Sequence, residues 1–499
     1  MLFILVSLAA NSPLITHYQL YFDDYTQFDK TLAQWFETRG IWRILGTLFP
    51  SWLVSLDIYG VAVVLLHAIG GYLFFLVARH GLGSVSHALF LTVIAIAFPW
   101  GYQALLWASA ASFAFASCLL WAILYVLVVF RADQLRGYLL AAGVVCTSFI
   151  CLLFNEAAFF PLCFAGIIVW ARPLVFLRDW KSALVVSLAP LAGAGLWATA
   201  YELTKPVVPI KAVTQIHLPS ALSALLYQYH NLGIFSVWTN EQLRKHVAST
   251  ITGADAVLTA LAIGAVLFML RSMLRADHTG RELLFHSDER RIRPVAFLMW
   301  MLLLSVGAGC IYALAGGYSL DARKRYLIVP LIMLTAAAAA WLIWGPKRAR
   351  AFWPRGSSIA MSGTCILGCL TSLMMMSLWK YELTRLNLLA DLITENKVSG
   401  DLQVDWNPDI ASVWPQSEYS WGLDRGMALN DALHARGHPS ISLTPKSSQR
   451  VSWSSEEQRW YIIIQPLACG RGKYDVFRGT VEQRARLKST PPFSGSRRS

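Results

Sequence analysis

The chain has 499 residues, of which 56% are hydrophobic and 14% are charged, and its mean hydropathy is +0.49. A soluble chain of this length would carry polar surfaces on several domains, so this composition excludes an ordinary soluble protein and predicts an all-α polytopic membrane protein. The net charge of +13 does not indicate a nucleic-acid partner, because the arginines lie between apolar runs rather than along one polar face. The eight cysteines show neither metal-ligand spacing nor a disulfide framework.

Apolar runs of membrane-spanning length predict about eleven transmembrane helices. They lie near residues 2–20, 52–78, 84–100, 108–130, 138–154, 157–171, 182–203, 254–274, 295–315, 326–344 and 357–379. The run from Leu139 to Trp170 is too long for one helix, since its 32 residues at about 1.5 Å each exceed a hydrocarbon core about 30 Å thick. Basic residues flank both of its ends, so we predict a hairpin that turns at Asn155-Glu156.

Basic residues between the apolar runs predict the orientation of the helices. The clusters from Arg271 to Arg293 and from Lys347 to Arg355, together with Arg79 and Arg131, mark the cytoplasmic side. The external side then receives the loop at 21–51, the turn at 99–103, the Asn155-Glu156 turn, the loop at 204–253, the loop at 316–325 and everything after Lys380. A signal peptide cleaved near Ser7-Leu8-Ala9 is an alternative interpretation of the first run, and it leaves the loop at 21–51 external as well.

Composition changes after the last apolar run, which predicts a division into domains. Residues 1–380 form the transmembrane domain, and residues 381–488 form a small external C-terminal domain of mixed α/β structure. Within the small domain, the segment from Arg459 to Gln465 predicts a strand. Residues 489–499 are rich in Pro, Ser and Arg, which predicts a disordered tail.

Two adjacent carboxylates, Asp23 and Asp24, follow the first apolar run and are predicted to lie outside the membrane. A carboxylate pair at a membrane mouth is a candidate general base, and a helix cap or solvated turn is the alternative. The segment from Lys30 to Phe49 then carries apolar residues at three- and four-residue spacing, which predicts amphipathic helices broken near Gly40. Their apolar face lies either in the lipid headgroup layer or against neighbouring helices.

Three basic residues, Arg323, Lys324 and Arg325, directly precede the span that begins at Tyr326. Their predicted external position runs against the usual preference of basic residues for the cytoplasm, and such a cluster suits a lipid phosphate. A solvated loop is the alternative. The centres of the predicted spans carry few ionisable side chains, which argues against an ion-coupled transporter. His67 is the main one, and a histidine there is either a hydrogen-bonded packing residue or a proton relay.

These features together resemble the GT-C superfamily of integral-membrane glycosyltransferases, which use polyprenyl-phosphate-linked sugars. The resemblance covers roughly residues 1–380 and rests on four short segments. They are Phe22-Asp23-Asp24-Tyr25 with the amphipathic helices that follow, the aromatic turn from Trp100 to Trp107, the acidic turn Asn155-Glu156, and Arg325-Tyr326 leading to Pro330.

The resemblance implies a glycosyltransferase that moves a hexose or pentose from a polyprenyl-phosphate donor to an envelope glycan, lipid or protein by inverting displacement. Asp24 or Asp23 would take the proton of the acceptor hydroxyl, and Arg325, with Lys324 and Arg323, would bind the donor phosphate. The implied substrate-binding residues are Glu156, Gln103, Tyr102 and Arg43. The implied location is a bacterial inner membrane, with the active site facing the periplasm.

One position departs from the family's pattern, since many relatives carry an acid in the second external turn where this chain has Gln103. The departure leaves the cofactor open between none and a divalent cation, Mg²⁺ or Mn²⁺. Asp23, Asp24 and Glu156 offer oxygen ligands, but their spacing is not typical of a metal site, and we assign no metal-binding residue. Two other functions stay open, a transporter or flippase of lipid-linked glycans and a non-catalytic envelope scaffold.

Overall fold

The computed structural model describes residues 1–16, 31–129, 134–171, 180–205, 251–278, 292, 294–314, 322–399, 401–406, 427–440, 442–443, 459–465 and 473–479. The chain divides into two compact units. Unit 1 comprises Met1–Tyr18, Gln27–Phe235 and Gly253–Met376, and unit 2 comprises Gln19–Thr26, Ser236–Thr252 and Ser377–Ser499.

Helices make up the described part of unit 1. In chain order they are α1 Leu2–Thr16, α2 Leu32–Arg39, α3 Ile44–Ser55, α4 Tyr59–Leu82, α5 Val85–Ala97, α6 Gln103–Leu106, α7 Ser112–Val129, α8 Gln134–Phe154, α9 Phe159–Ala165, α10 Trp180–Thr204, α11 Gly253–His278, α12 Pro294–Leu314 and α13 Ala322–Glu395, whose last part belongs to unit 2. Short 3₁₀ helices lie at Ala108–Ala110, Glu156–Ala158 and Gly166–Ala171.

Length and composition confirm a multi-pass membrane protein. Among the described residues, six helical segments are long and apolar enough to cross a bilayer: Tyr59–Leu82, Ala108–Val129, Gly137–Phe154, Trp180–Thr204, Tyr326–Trp344 and Ile359–Ser377. The five other predicted spans coincide with shorter apolar helices of 10–17 residues. The apolar pattern therefore located the helices, while the count of eleven spans stays a prediction.

Two predicted spans differ from the structure in detail. The span predicted from residue 52 begins at Tyr59, because Asp57 has a φ of +56° and separates α3 from α4. The span predicted at 157–171 is one short α-helix between two 3₁₀ helices. Gly166 lies so close to α10 that a Cβ there would sit 1.7 Å from the carbonyl oxygen of Ser187. The 3₁₀ turns rise about 2.0 Å per residue, so this short segment still extends up to about 28 Å.

The long helical run α13 reverses direction. Its first part reaches Gly101, where a Cβ would lie 2.6 Å from the Cα of Tyr326. Its later part reaches Ala97, whose carbonyl accepts a 2.7 Å hydrogen bond from Ser372 Oγ. Ala97 and Gly101 are at most roughly 15 Å apart along the chain, whereas a straight helix would separate Tyr326 from Ser372 by about 69 Å. The run is therefore a hairpin, as the two predicted spans at 326–344 and 357–379 require.

One end of the helix bundle gathers the turns that were predicted to be external. Leu14, near the end of α1, meets the start of α4 at Gly60, where a Cβ would lie 2.2 Å from the Leu14 carbonyl oxygen. Tyr59 donates a 2.8 Å hydrogen bond to the carbonyl of Leu105. Asn155 donates a 3.0 Å hydrogen bond to Ser112. We call this the Glu156 end of the bundle.

The opposite end gathers the turns that were predicted to be cytoplasmic. Gly81, near the end of α4, faces the ring of Phe297 at the start of α12, with 2.0 Å between a Cβ and the ring. The rings of His87, at the start of α5, and Trp341, far along the first arm of α13, have centroids 4.8 Å apart. These contacts give the helices alternating directions, which agrees with the order of turns that the basic residues predicted.

Among the described residues of unit 2, four strands form a sheet in the order β2-β1-β3-β4. The strands are β1 Asp401–Trp406, β2 Ser442–Leu443, β3 Arg459–Gln465 and β4 Lys473–Gly479, with α14 at Met427–His434. Strand β1 is parallel to β2 and β3, and β3 is antiparallel to β4. Strand β3 has the bounds predicted from sequence. The tail at 489–499 and its predicted disorder lie outside the described residues.

Candidate functional site

Asp23 and Asp24, the predicted base pair, lie outside the described residues. The described chain stops at Thr16 and resumes at Thr31. Thr31 caps α2, since its hydroxyl accepts a hydrogen bond from Gln34 N at 3.3 Å and its own N–H donates to Gln34 Oε1 at 2.9 Å. This reciprocal capping box satisfies two backbone N–H groups, those of Thr31 and Gln34, and gives α2 a defined start. The first described residue after the acid pair is thus the cap of a helix, Leu32–Arg39.

The predicted break near Gly40 is confirmed and separates α2 from α3. Gly40 has a φ of +60°, and a Cβ there would lie 2.3 Å from the carbonyl oxygen of Thr204 at the end of α10. Next to it, Ile41 N–H donates a 3.3 Å hydrogen bond to Thr204 Oγ1. Only glycine meets both requirements at this position, since it tolerates positive φ and has no Cβ. The break therefore docks the helix pair on the Glu156 end.

Arg43 and Glu156 form a bidentate ion pair at this docking point. Arg43 Nε donates a 2.7 Å hydrogen bond to Glu156 Oε2, and Arg43 Nη2 donates to Oε1. The guanidinium also lies over the ring of Trp42, 4.6 Å from its centroid, and 5.5 Å from the ring of Phe113. The two side chains are 22% and 19% exposed, so solvent screens the pair only in part.

Local structure holds both partners of the pair in place. Arg43 has a φ of +50° and stands at the N-terminal cap of α3, a conformation that costs a non-glycine residue about 1 kcal/mol or more. Asn155 caps the 3₁₀ turn that carries Glu156, because its side-chain oxygen accepts a 3.0 Å hydrogen bond from Ala157 N. The ion pair and the contacts of the guanidinium with the Trp42 and Phe113 rings offset the strain at Arg43.

Tyr102 and Gln103 stand in the aromatic turn after α5. Tyr102 is 4% exposed, and Gln103 is the first residue of α6; its side chain lies outside the described part. Tyr102 lines a cavity of about 40 Å³ in unit 1, together with Trp100, Tyr326, His67 and Asn11. A cavity of this size holds roughly two or three water molecules.

Arg323, Lys324 and Arg325 occupy the first turn of α13, which begins at Ala322. Their side chains lie outside the described part. The next residue, Tyr326, is described: its hydroxyl lies 2.6 Å from His67 Nδ1. The basic cluster therefore lies within one helical turn of Tyr326, whose hydroxyl contacts His67.

His67 uses both of its ring nitrogens. Nε2 lies 3.0 Å from the carbonyl oxygen of Ile96, and a carbonyl only accepts, so Nε2 carries the proton. Nδ1 of the neutral ring then accepts the hydrogen bond from the Tyr326 hydroxyl. These bonds are those of the packing alternative that the sequence left open, because the proton on Nε2 is donated to a backbone carbonyl, which does not pass it on.

The residues predicted to bind substrate fall into two groups. Arg43 and Glu156 bind each other, and Tyr102 lines the cavity. Because both Glu156 oxygens accept from Arg43, this carboxylate does not fit the part of a free metal ligand. Within the described ranges, no three His, Cys, Asp or Glu side chains gather as a metal site would require.

No protein-family model matches the chain, and no curated protein matches it. The geometry of the Glu156 end therefore carries the functional argument.

Proposed function

We propose that this chain is a membrane glycosyltransferase that moves a sugar from a polyprenyl-phosphate donor to an acceptor of the cell envelope. The observation that carries the proposal is the convergence at the Glu156 end. All four segments on which the resemblance rests have described residues, and these lie there: the amphipathic helices at Arg43, the acidic turn at Glu156, and the aromatic turn at Gly101 against Tyr326 of the fourth segment. The acid pair itself lies between α1 and α2 in sequence.

The chemistry divides among residues of opposite charge. A sugar on a lipid phosphate already carries a good leaving group, so the reaction needs a base to activate the acceptor hydroxyl. Asp24 or Asp23 takes that proton as the hydroxyl oxygen bonds to the anomeric carbon, which inverts its configuration. Arg325, with Lys324 and Arg323, stabilises the negative charge that develops on the departing phosphate.

The remaining predicted residues differ in their proposed parts. Arg43 and Glu156 dock the helices that follow the acid pair, and their contact with substrate is secondary to that. Tyr102, in the cavity lining, and Gln103 border the sugar. A divalent cation stays an alternative at the acid pair, where two carboxylates would hold it and its positive charge would offset the negative charge of the phosphate.

The proposed setting is an inner membrane with eleven spans, and the Glu156 end faces the periplasm. The basic turns at the opposite end of the bundle support this orientation. Unit 2 is then an external domain.

Asparagine variants of the acid pair test the proposal. In cells that depend on this chain, Asp24→Asn or Asp23→Asn should abolish sugar transfer, and the lipid-linked donor should accumulate, as measured by mass spectrometry of extracted lipids. Asp57→Asn is the matched control, because Asp57 also precedes a span at this end and asparagine tolerates its φ of +56°.

All variants must reach the membrane in equal amount, which an immunoblot of membrane fractions checks. Full transfer in both single variants and in the double variant would overturn the proposal. Donor accumulation in the Asp57→Asn cells would show that the effect does not belong to the acid pair.

A further inference from the structure

The end of α5 gives His67 a rigid partner. The helix stops at Ala97, before Pro99, so its last carbonyls lack some of the backbone donors of a continuing helix. The Ile94 carbonyl still accepts from Phe98 N–H at 3.4 Å. Three of the last carbonyls accept side-chain donors: Ile94 from Trp100 Nε1 at 3.0 Å, Ile96 from His67 Nε2 at 3.0 Å, and Ala97 from Ser372 Oγ at 2.7 Å. The His67 ring is therefore fixed by a carbonyl at a helix end where two neighbouring carbonyls also accept side-chain hydrogen bonds.

Tyr326 is held at two points. Its hydroxyl donates to His67 at 2.6 Å, and its backbone abuts Gly101, where a Cβ would lie 2.3 Å from Tyr326 Cβ and 2.6 Å from its Cα. The hydroxyl sets the rotation of the helix and the backbone contact sets its distance from the aromatic turn. The side-chain rotamer and the helix position are thus coupled.

The first turn of α13 follows this anchor. Helical hydrogen bonds link the carbonyls of residues 322–325 to the N–H groups of residues 326–329. A helix end without a fixed partner frays over its first turn. Arg323, Lys324 and Arg325 stand in that turn, so the anchor decides where their backbone lies.

We propose that His67 is a positioning residue: its hydrogen bond to Tyr326 fixes the first turn of α13 and so holds the basic cluster in place for the phosphate of a lipid. The anchor stands on the geometry alone, whereas the phosphate rests on the proposed function. If His67 only packed, its substitution would lower the stability of the whole protein. It would not selectively affect the first turn of α13 or phosphate binding.

Three variants isolate the anchor. Tyr326→Phe removes only the hydroxyl, His67→Leu removes both hydrogen bonds of the ring, and His67→Gln restores a donor and an acceptor. Tyr59→Phe is the matched control. Tyr59 also donates a buried hydroxyl hydrogen bond, to the Leu105 carbonyl at 2.8 Å at the same end of the bundle, but it does not touch α13 through that bond.

Two measurements on the full-length protein in lipid nanodiscs keep the two claims apart. Hydrogen exchange with mass spectrometry reports the protection of the amides of residues 326–329. The Kd for sugar-free polyprenyl monophosphate reports how well the basic cluster binds a lipid phosphate. In Tyr326→Phe and His67→Leu we expect both the exchange rate and the Kd to rise about tenfold, the equivalent of one buried hydrogen bond. Tyr59→Phe should leave both unchanged, and His67→Gln should recover most of the effect.

Unchanged exchange in Tyr326→Phe would overturn the anchor. Equal weakening of phosphate binding in Tyr326→Phe and Tyr59→Phe would overturn the selective role and leave His67 a packing residue. If the native protein itself binds no polyprenyl monophosphate, the proposed function fails, and the exchange data still decide whether the anchor exists.

Discussion

The Arg43–Glu156 contact and the His67–Tyr326 contact lie at the same end of the bundle, but they work by different physics. The first is an ion pair about one-fifth exposed to solvent, and it docks the helices that follow the acid pair. The second is a neutral hydrogen bond whose histidine is 7% exposed, and it holds the helix that carries the basic cluster. One end of the bundle thus fixes two segments through separate contacts, and we expect salt to weaken the first contact but not the second.

The largest expected effect comes from removing the backbone contact beside the ion pair. Gly40→Ala puts a Cβ 2.3 Å from the Thr204 carbonyl at a φ of +60°, so we expect a loss of about 3 kcal/mol or more in the free energy of unfolding. The melting temperature in detergent measures it. Gly437→Ala is the control, because Gly437 has a φ of +70° and none of the described residues comes within 4 Å of a Cβ there, and it should cost about 1 kcal/mol.

The variant Gly40→Ala should also free α2 and α3 from α10 without changing the charges of Arg43 and Glu156. A Gly40→Ala protein as stable as the Gly437→Ala protein would contradict the close approach to Thr204.

The next effect separates the two contacts by salt. Glu156→Gln should cost about 2 kcal/mol at 0.1 M NaCl and about 1 kcal/mol at 1 M, because salt screens a partly exposed pair. Tyr326→Phe should cost about 1 kcal/mol at both salt concentrations, since it removes a neutral bond. Thermal unfolding at the two salt concentrations measures both losses of stability. If the loss for Glu156→Gln were the same at both concentrations, packing rather than charge would stabilise the pair.

The smallest effect is expected at an exposed ion pair on the same helix as Thr204. Lys205 and Glu202 pair at the end of α10 with side chains 49% and 62% exposed. Glu202→Gln should therefore change the free energy of unfolding by about 0.3 kcal/mol. A loss as large as that of Glu156→Gln would show that burial does not explain the difference between the two pairs.

Sequence patterns located the helices because each apolar run is a local property. The break at Gly40, the turn at Asn155-Glu156 and strand β3 all follow from residues next to each other, and the structure has them where they were predicted. The mixed α and 3₁₀ segment at 156–171 was missed, because the close approach of Gly166 to Ser187 depends on packing.

The pairings were missed for the same reason. Arg43 and Glu156 were each singled out, but not as partners, although opposite charges on one predicted side of the membrane were a usable signal. His67 and Tyr326 offered no such signal, since both are neutral and stand 259 positions apart in the chain. Asp23 and Asp24, outside the described residues, remain a prediction from sequence.

The most direct test of the central claim uses purified protein in liposomes with a polyprenyl-phosphate-linked sugar and an acceptor glycan. The account predicts that the native chain releases free polyprenyl phosphate and forms a glycoside of inverted anomeric configuration, as seen by NMR, and that the Asp23→Asn, Asp24→Asn double variant does neither. Release that persists in the double variant, or donor that crosses the bilayer with its sugar still attached, would contradict it.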